Sequence, residues 1–287
     1  MDNKQIETRD GLTLRGREWP LEPARGTIVL VHGLGEHVGR YAHVAAFFNA
    51  GGWRVVGYDH RGHGLSDGAR GRLAAADDLL LDLARAIDAV RAEHPGGPLV
   101  LLGHSLGGLV AARFVAGALA PAAAWSRPVD ALLLSSPVLA TAMSPLQKAM
   151  LALLGPLTPN LAVGNGLKPE WISRDPAVVA AYKADPLVHD RISPRLARFI
   201  VDGCALVRSV APRWTVPTVL LYAGADRCVL PAGSAAFAAA APRTVVTARV
   251  YPALFHEIMN EPERAEVLSA FAEGLDTLIA SPTRSPP

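Results

Sequence analysis

The feature that most constrains this fold is a series of short apolar runs that alternate with stretches of helical periodicity. The runs are rich in Val, Ile and Leu without polar alternation, which is typical of parallel strands buried on both faces of a sheet. They lie at 26–33, 53–59, 98–104, 129–137, 216–224 and 244–252. The helical stretches lie at 41–50, 76–93, 106–119, 232–241 and 262–280. This order predicts an α/β fold with a doubly wound, mostly parallel sheet flanked by helices, and a hairpin around Asp10-Gly11 adds an antiparallel edge.

One long segment interrupts this alternation. Residues 139–212 contain repeated prolines and no clear strand, so we expect a helical cap inserted between two sheet strands. The core domain then consists of 1–138 and 213–287. Within the cap, 146–157 is apolar nearly all round. Two interpretations stay open: this helix packs on its neighbours, or it is a lid that faces an acyl chain or a lipid surface.

Composition limits the partners and the compartment. The net charge is +2 and there is no basic stripe, so a nucleic acid partner is not expected. Two cysteines, Cys204 and Cys228, are too few for a disulfide framework in a chain of this length, and we expect free thiols. The N-terminal segment has no apolar signal region and the chain has no run of about 18 apolar residues, which predicts a cytoplasmic protein.

The sequence Gly103-His-Ser-Leu-Gly107 supplies a candidate nucleophile, Ser105. A G-x-S-x-G pattern alone is weak, but here it follows a predicted strand and precedes a predicted helix. Strand–turn–helix is the setting of a nucleophile elbow, in which a serine on a tight, strained turn points outward. The pattern therefore predicts nucleophilic catalysis by Ser105 rather than an ordinary serine N-cap.

A serine nucleophile needs a histidine base, which is itself oriented by a carboxylate. In this topology the three follow in the order serine, acid, histidine, with the last two just past strands. Asp226 follows the apolar run 216–224, and His256 follows the run 244–252. Both are predicted to lie in loops at the carboxyl edge of the sheet, so Ser105, Asp226 and His256 form the predicted catalytic triad.

Other titratable residues fit the chemistry less well. Asp185 lies in the insertion, away from the strand ends. Glu257 and Glu261 adjoin the candidate histidine and are expected to be solvated helix residues. His60 and His63 could suggest a metal pair, but no third ligand lies nearby, so we expect their loop to pack under the site.

Acyl transfer also needs two hydrogen-bond donors for the developing oxyanion. The amide of Leu106, directly after the nucleophile, is the first candidate. The loop 32–35 follows the first buried strand and contains two glycines, which allow a close backbone approach, and the amide of Leu34 is the second candidate.

The motifs together resemble the monoacylglycerol lipase and lysophospholipase branch of the α/β-hydrolases. They are HGLGEHVGRY at 32–41, YDHRGHGLSD at 58–67, GHSLGG at 103–108, DPL at 185–187 and HEIMNE at 256–261. The resemblance implies an eight-stranded core with a mobile cap over an acyl-chain tunnel. It also implies the same triad and the same oxyanion-hole residues as those predicted above.

In relatives of this branch, the positions matching Glu36 and Arg40 help to shape the alcohol end of the pocket. The alternative for these two residues is an i,i+4 ion pair at the start of a helix, and both interpretations stay open.

We therefore expect a serine esterase that cleaves acylglycerols, with no metal and no organic cofactor. Transient membrane contact through the cap is expected only if the lid interpretation of 146–157 holds. The alternatives are a lysophospholipase, a short-chain carboxylesterase, a serine peptidase, an acyltransferase and a ligand-binding receptor on the same fold. The sequence leaves the acyl length, the preferred alcohol and the oligomeric state open.

Overall fold

The computed structural model describes residues 3–119 and 123–280. Its strands are β1 (Asn3–Glu7), β2 (Thr13–Trp19), β3 (Thr27–Val31), β4 (Arg54–Tyr58), β5 (Leu99–His104), β6 (Ala131–Ser135), β7 (Val163–Gly164), β8 (Arg191–Ile192), β9 (Thr218–Ala223) and β10 (Val246–Tyr251). The α-helices are α1 (Ala42–Ala50), α2 (Asp78–Glu93), α3 (Leu106–Ala116), α4 (Pro145–Leu154), α5 (Pro176–Ala184), α6 (Pro194–Val210), α7 (Pro231–Ala240) and α8 (Arg264–Ala280). Short 3₁₀ helices cover Val38–Tyr41, Pro169–Trp171, Ala211–Arg213 and Ile258–Asn260.

Eight strands form one sheet in the order β1-β2-β4-β3-β5-β6-β9-β10. The strands from β4 to β10 in that order are parallel, and β2 pairs antiparallel with both β1 and β4. This confirms the α/β-hydrolase fold with its antiparallel N-terminal edge. Parallel neighbours end at the same edge of a sheet, so the loops after β3, β5, β9 and β10 converge there.

Burial along the strands follows their position in the sheet. Every residue of β3, β4, β5 and β6 is buried, as the continuous apolar runs predict. The prediction was wrong for β10, where Val246 and Tyr251 are buried but the four residues between them are exposed. This strand is the last in the sheet, and its central sequence Thr-Ala-Arg-Val fits a half-solvated edge.

Helices cover both faces of the sheet and create two apolar layers. On one face, side chains of α2, α3 and α6 pack on the strands, with Leu83, Phe114 and Phe199 among the most buried. On the other face, α1 and α8 do the same, and Phe48 and Phe271 lie at the centre. The core helices begin and end within three residues of the predicted stretches. Close packing of both layers gives the sheet edge a rigid support.

The segment between β6 and β9 contains α4, α5 and α6. The prediction that this segment contains no strand was wrong in one detail, because β7 and β8, of two residues each, pair antiparallel. Helix α6 buries seven residues, whereas α4 buries none. The division into a core and a cap with boundaries at 139 and 212 stays a prediction. No helix in the described part of the chain is long and apolar enough to cross a membrane.

Candidate active site

Ser105 occupies the sharp turn between β5 and α3. Its backbone has a φ of 53°, a conformation that costs a residue with a side chain about 1–3 kcal/mol. Main-chain bonds hold this turn: the Ser105 amide donates to the carbonyl of Ser135 at 3.0 Å, and the Ser105 carbonyl accepts from the amide of Val138 at 3.1 Å. The turn therefore holds the serine at the carboxyl edge of the sheet.

The glycines of the motif allow this turn to pack. A Cβ on Gly103 would lie 2.6 Å from the carbonyl oxygen of Gly107, and a Cβ on Gly107 would overlap the carbonyl oxygen of Val31. Strand β5, helix α3 and strand β3 can therefore approach this closely only because both residues lack side chains.

The predicted triad residues lie in hydrogen-bonding order. The Oγ of Ser105 is 2.7 Å from Nε2 of His256, and Nδ1 of His256 is 2.7 Å from Oδ2 of Asp226. The other carboxylate oxygen, Oδ1, accepts from the amides of Cys228 and Val229 at 2.8 and 3.0 Å. The carboxylate is thus held on both sides, and it fixes the histidine ring with Nε2 directed at the serine.

The electrostatics of the pair suit a general base. Burial opposes protonation of His256, but the charge of Asp226 and its hydrogen bond outweigh it and raise the pKa of the imidazole above its usual 6.5. Burial also opposes ionisation of Asp226, yet the charge of His256 and the hydrogen bonds to the carboxylate lower the pKa of Asp226 below its usual value. An ionised aspartate beside a histidine that readily takes a proton is the arrangement that serine activation requires.

Leu34 and Leu106 each border a cavity that Ser105 also lines. Leu106 is the first residue of α3, where the helix leaves its amides unpaired, and Leu34 lies with Ser105 in the wall of the cleft. Among the residues that the structure describes, neither amide donates a hydrogen bond to another group. The preceding residue, Gly33, is so close that a Cβ on it would lie 3.2 Å from the Cβ of Ser105.

Glu36 and Arg40 form the i,i+4 pair that one of the two interpretations expects. Glu36 also accepts from the amide of Gly33 at 2.6 Å and from the hydroxyl of Tyr41. Arg40 donates to both carboxylate oxygens of Glu257, at 2.8 and 2.7 Å. One guanidinium thus connects the loop after β3 with the residue next to His256.

The expectation that Glu257 and Glu261 are solvated was wrong. Glu257 is 5% exposed, and Glu261 is fully buried and binds Arg174, which lies between β6 and β9. Arg40 lies 217 residues from Glu257 in the chain, and Arg174 lies 87 residues from Glu261. The only local signal was the apolar pair between the two glutamates, Ile258-Met259, which is buried.

The histidines of the loops pack under the site. The ring centroids of His32 and His60 are 4.3 Å apart, and those of His32 and His63 are 5.4 Å apart. Burial lowers the pKa of His32 to about 3, so this group is neutral near pH 7. His104, whose role the sequence left open, borders the cleft, and its Nδ1 lies 3.0 Å from the hydroxyl of Ser135.

Two groups of side chains place three ligand-type atoms within 4.8 Å of one another in the described residues. They are Asp226, Cys228 and His256, and Glu18, Glu93 and His94. In the first group, Asp226 and His256 are hydrogen-bonded to each other, and Lys4 forms ion pairs with both glutamates of the second. His60 and His63 belong to neither group. Both cysteines are free.

Two chambers meet at Ser105. The polar chamber has a volume of about 470 Å³, and its charged lining residues are Glu36, Lys168, Lys183, Asp185, Asp190 and Glu257. The apolar chamber has a volume of about 520 Å³, and its wall includes Val138, Met143, Val163, Ile192, Ile200 and Val229. Leu34, Asn165, Leu167 and Cys228 border both chambers, as does the nucleophile itself. The sequence analysis had not identified Asn165, Leu167 or Cys228 as residues of the site.

The chain is similar to known proteins over most of its length. The family model described as serine aminopeptidase, S33, matches residues 22–263. A monoacylglycerol lipase of Mycolicibacterium smegmatis is 38% identical over 247 residues, which cover 85% of each chain. Phospholipase YtpA of Bacillus subtilis is 30% identical over 88% of this chain and 95% of its own.

A solved structure agrees with these sequence relatives. The crystal structure of Paleococcus ferrophilus monoacylglycerol lipase superimposes with a TM-score of 0.81 at 33% identity, and the match covers 92% of this chain and 99% of the other. The chain is therefore a member of the serine aminopeptidase S33 family and belongs to the monoacylglycerol lipase-like branch of the α/β-hydrolases.

Proposed function

We propose that this protein hydrolyses monoacylglycerols through an acyl-enzyme formed on Ser105. The observation that carries the proposal is the position of the serine, which is hydrogen-bonded to His256 where an apolar and a polar chamber meet. An ester with a long acyl chain and a small polar alcohol fits this division. Similarity to monoacylglycerol lipases supports the same substrate class.

The reaction follows from the geometry of the triad. Ser105 Oγ attacks the ester carbonyl while His256 Nε2 takes its proton, and Asp226 stabilises the imidazolium. The amides of Leu34 and Leu106 stabilise the oxyanion of the tetrahedral intermediate. His256 then gives the proton to the departing glycerol oxygen. Water repeats these steps on the acyl-enzyme and releases the fatty acid, so no metal and no organic cofactor is required.

The acyl chain is assigned to the apolar chamber and the glycerol to the polar one. Glu36 borders the polar chamber and is the candidate acceptor for a glycerol hydroxyl. Arg40 lies between Glu36 and Glu257, so we assign it an indirect role: it holds both carboxylates in place. Both interpretations of this pair are then compatible, because an ion pair at the helix start also shapes the alcohol end.

Charge separates the lysophospholipase alternative from the proposal. Four carboxylates and two ammonium groups line the polar chamber. Arg40 pairs with Glu36 and Glu257, Arg191 pairs with Asp190, and Glu170 pairs with Lys183, so with these partners five carboxylates face four cations. The remaining excess of negative charge favours a neutral alcohol and opposes a phosphate group in a confined site. We therefore expect monoacylglycerol to react faster than a lysophospholipid with the same acyl chain.

The family description also raises aminopeptidase activity, which needs carboxylates that bind a substrate ammonium group. The two most buried carboxylates of the polar chamber, Glu36 and Glu257, already share the guanidinium of Arg40. Both carboxylates already form ion pairs within the protein, so neither is an unpaired acceptor for a substrate ammonium group, and the esterase proposal is preferred.

Helix α4 supports transient contact of the cap with a lipid surface. Leu146, Leu153 and Leu157 at and beyond this helix are 71%, 74% and 76% exposed, and the neighbouring residues Met143 and Gln147 border the apolar chamber. A membrane-bound substrate could pass from the lipid surface into the chamber along this route. The cytoplasmic location stays a prediction from the sequence.

A panel of oleoyl esters tests the proposed function. The rates of hydrolysis of 1-monooleoylglycerol, 1-oleoyl-lysophosphatidylcholine, 1-oleoyl-lysophosphatidylglycerol and p-nitrophenyl butyrate are compared, with an amino-acyl p-nitroanilide as the peptidase substrate. We expect the highest kcat/KM for monooleoylglycerol and the lowest ester rate for the anionic lysophospholipid. Faster reaction of either lysophospholipid would favour the phospholipase alternative, and turnover of short esters alone would reduce the function to a general carboxylesterase.

A further inference from the structure

The loop that carries the amide of Leu34 is fastened to the cap as well as to the core. We name residues 33–37 the oxyanion loop and residues 185–189 the clasp. The amide of His189 in the clasp donates to the carbonyl of Gly35 at 2.8 Å. The side chains pair as well, because Nε2 of His37 lies 2.8 Å from Oδ2 of Asp185. The clasp therefore binds the loop on both sides of Glu36.

The two segments approach so closely that only glycine fits at the contact. Gly35 has a φ of +77°, and a Cβ there would overlap the carbonyl oxygen of His189. The contact continues below, where the ring of His189 lies 4.6 Å from the ring of His63 under the site. The position of the clasp thus constrains the main chain directly beside Leu34.

Asp185 is the residue that joins the clasp to the loop. Its Oδ1 accepts from the amide of Leu187 at 2.8 Å and shapes the clasp, while Oδ2 faces His37. His37 in turn accepts from the amide of Gly39 through Nδ1, which leaves Nε2–H to donate to the carboxylate. One largely enclosed carboxylate therefore orders the clasp and the end of the oxyanion loop together.

We propose that Asp185 is a positioning residue for the reaction, which acts through His37 to hold the amide of Leu34 where the oxyanion forms. The proposal rests on the serine-esterase function given above. Asp185 also borders the polar chamber, so the proposal is tested with an ester whose alcohol offers Asp185 no hydroxyl group. For such a substrate it predicts an effect on transition-state stabilisation and little effect on binding of the ground state, because Asp185 then acts through the loop.

Kinetics of the Asp185→Ala variant test this role with p-nitrophenyl butyrate, a soluble substrate. Displacing one of the two oxyanion donors is expected to lower kcat by about 10- to 100-fold with KM changed less than about threefold. The affinity for a trifluoromethyl ketone, which forms an oxyanion with the serine, should fall by a similar factor. Asp202→Ala is the matched control, since Asp202 forms an exposed ion pair with Arg198 on the cap helix α6.

A double-mutant cycle with His37→Ala identifies the path. If the two side chains act as a pair, the kcat of the double variant should be no lower than that of the single variant with the lower kcat. Losses in kcat that multiply would overturn the proposed path through His37. A kcat within about threefold of wild type, or a loss of kcat with unchanged affinity for the ketone, would overturn the positioning role.

Folding and the proposed function are controlled separately. Circular dichroism checks each variant, and Asp185→Asn, which keeps the size and polarity of the side chain, replaces Asp185→Ala if the latter does not fold. The same two criteria then apply to it, with a smaller expected loss. A wild-type protein that neither hydrolyses the ester nor binds the ketone would refute the esterase function itself. If only the role proposed for Asp185 is wrong, the wild-type protein is active and the variants fail to show the expected losses.

Discussion

The two sides of Ser105 are built in opposite ways. On the alcohol side, Glu36 and Glu257 are buried, and Arg40, whose side chain is 11% exposed, joins them by hydrogen bonds. On the acyl side, the apolar chamber lies under α4, a helix without a single buried residue. Catalysis requires catalytic groups in fixed positions, whereas an acyl chain requires only an apolar cavity of sufficient size. The contrast indicates that the charged side fixes the reacting atoms and that the apolar side adapts to the chain.

The sequence of α4 fits this contrast. The segment Pro-Leu-Gln-Lys-Ala-Met-Leu-Ala-Leu-Leu is mostly apolar, and Ser144 caps it through a reciprocal bond with Gln147. This N-terminal capping box defines the start of α4 without contacts from the core domain. A helix with this composition and no buried side chain gains little from its own protein, and its apolar surface is available for substrate or lipid.

The largest effect is expected where the fixed side meets the chemistry. Asp226→Asn should lower kcat by about 10⁴-fold, because the amide no longer stabilises the imidazolium and favours the wrong tautomer of His256. Steady-state kinetics with p-nitrophenyl butyrate measure the loss, and Asp202→Asn is the control on an exposed aspartate. A loss of less than about tenfold would remove Asp226 from the catalytic assignment.

The buried ion network should be the next most sensitive. Arg40→Ala leaves Glu36 and Glu257 without their partner, so we expect the free energy of unfolding to fall by about 3–5 kcal/mol. Urea unfolding measures it, and Arg198→Ala, which breaks the exposed pair with Asp202, should cost less than about 1 kcal/mol. Equal losses in the two variants would contradict the distinction between a fixed and an adaptable side.

A pH profile reports on the same fixed side with a smaller effect. His256 must be neutral to act as a base, and the charge of Asp226 raises its pKa above 6.5 despite burial. The kcat/KM for p-nitrophenyl butyrate should therefore fall about tenfold per pH unit below a midpoint above pH 6.5. In Asp226→Asn, burial dominates and the midpoint should move to lower pH. An unchanged midpoint in that variant would contradict the assigned cause, provided that circular dichroism shows folded protein throughout.

The smallest effect on stability is expected on the adaptable side. Leu153→Ser together with Leu157→Ser should change the free energy of unfolding by less than about 1 kcal/mol, because both side chains are exposed. Hydrolysis of monooleoylglycerol in phosphatidylcholine vesicles should fall several-fold, while hydrolysis of p-nitrophenyl butyrate stays unchanged. Leu206→Ser, on the exposed face of α6, is the control for loss of an exposed leucine. The same relative change in rate on both substrates would argue against lipid contact through α4.

The sequence was informative where the signal is local. The strands β3 to β6 are continuous apolar runs, and the turn at Ser105 is a strand–glycine–helix pattern. The order of residues past the strands predicted the three side chains that lie in hydrogen-bonding contact, Ser105, His256 and Asp226. The exposed middle of β10 was missed because burial on both faces depends on a neighbour that an edge strand lacks.

Contacts between distant segments could not be predicted in the same way. Glu257 has the polarity of a surface residue, and only its partner Arg40, 217 residues away, explains its burial. The clasp at Asp185 pairs with His37 across 148 residues. Sequence motifs mark both segments, but the pairing of a charge with its partner is decided by tertiary structure.

The central claim is that Ser105 attacks the ester and carries the acyl group. The most direct measurement is mass spectrometry of the intact protein, rapidly quenched in acid after mixing with 1-monooleoylglycerol, together with the steady-state rate. We expect an oleoyl adduct on Ser105 in the wild-type protein, and neither adduct nor turnover in Ser105→Ala with its fold intact. Hydrolysis at a wild-type rate by Ser105→Ala, or an adduct on another residue, would contradict the account.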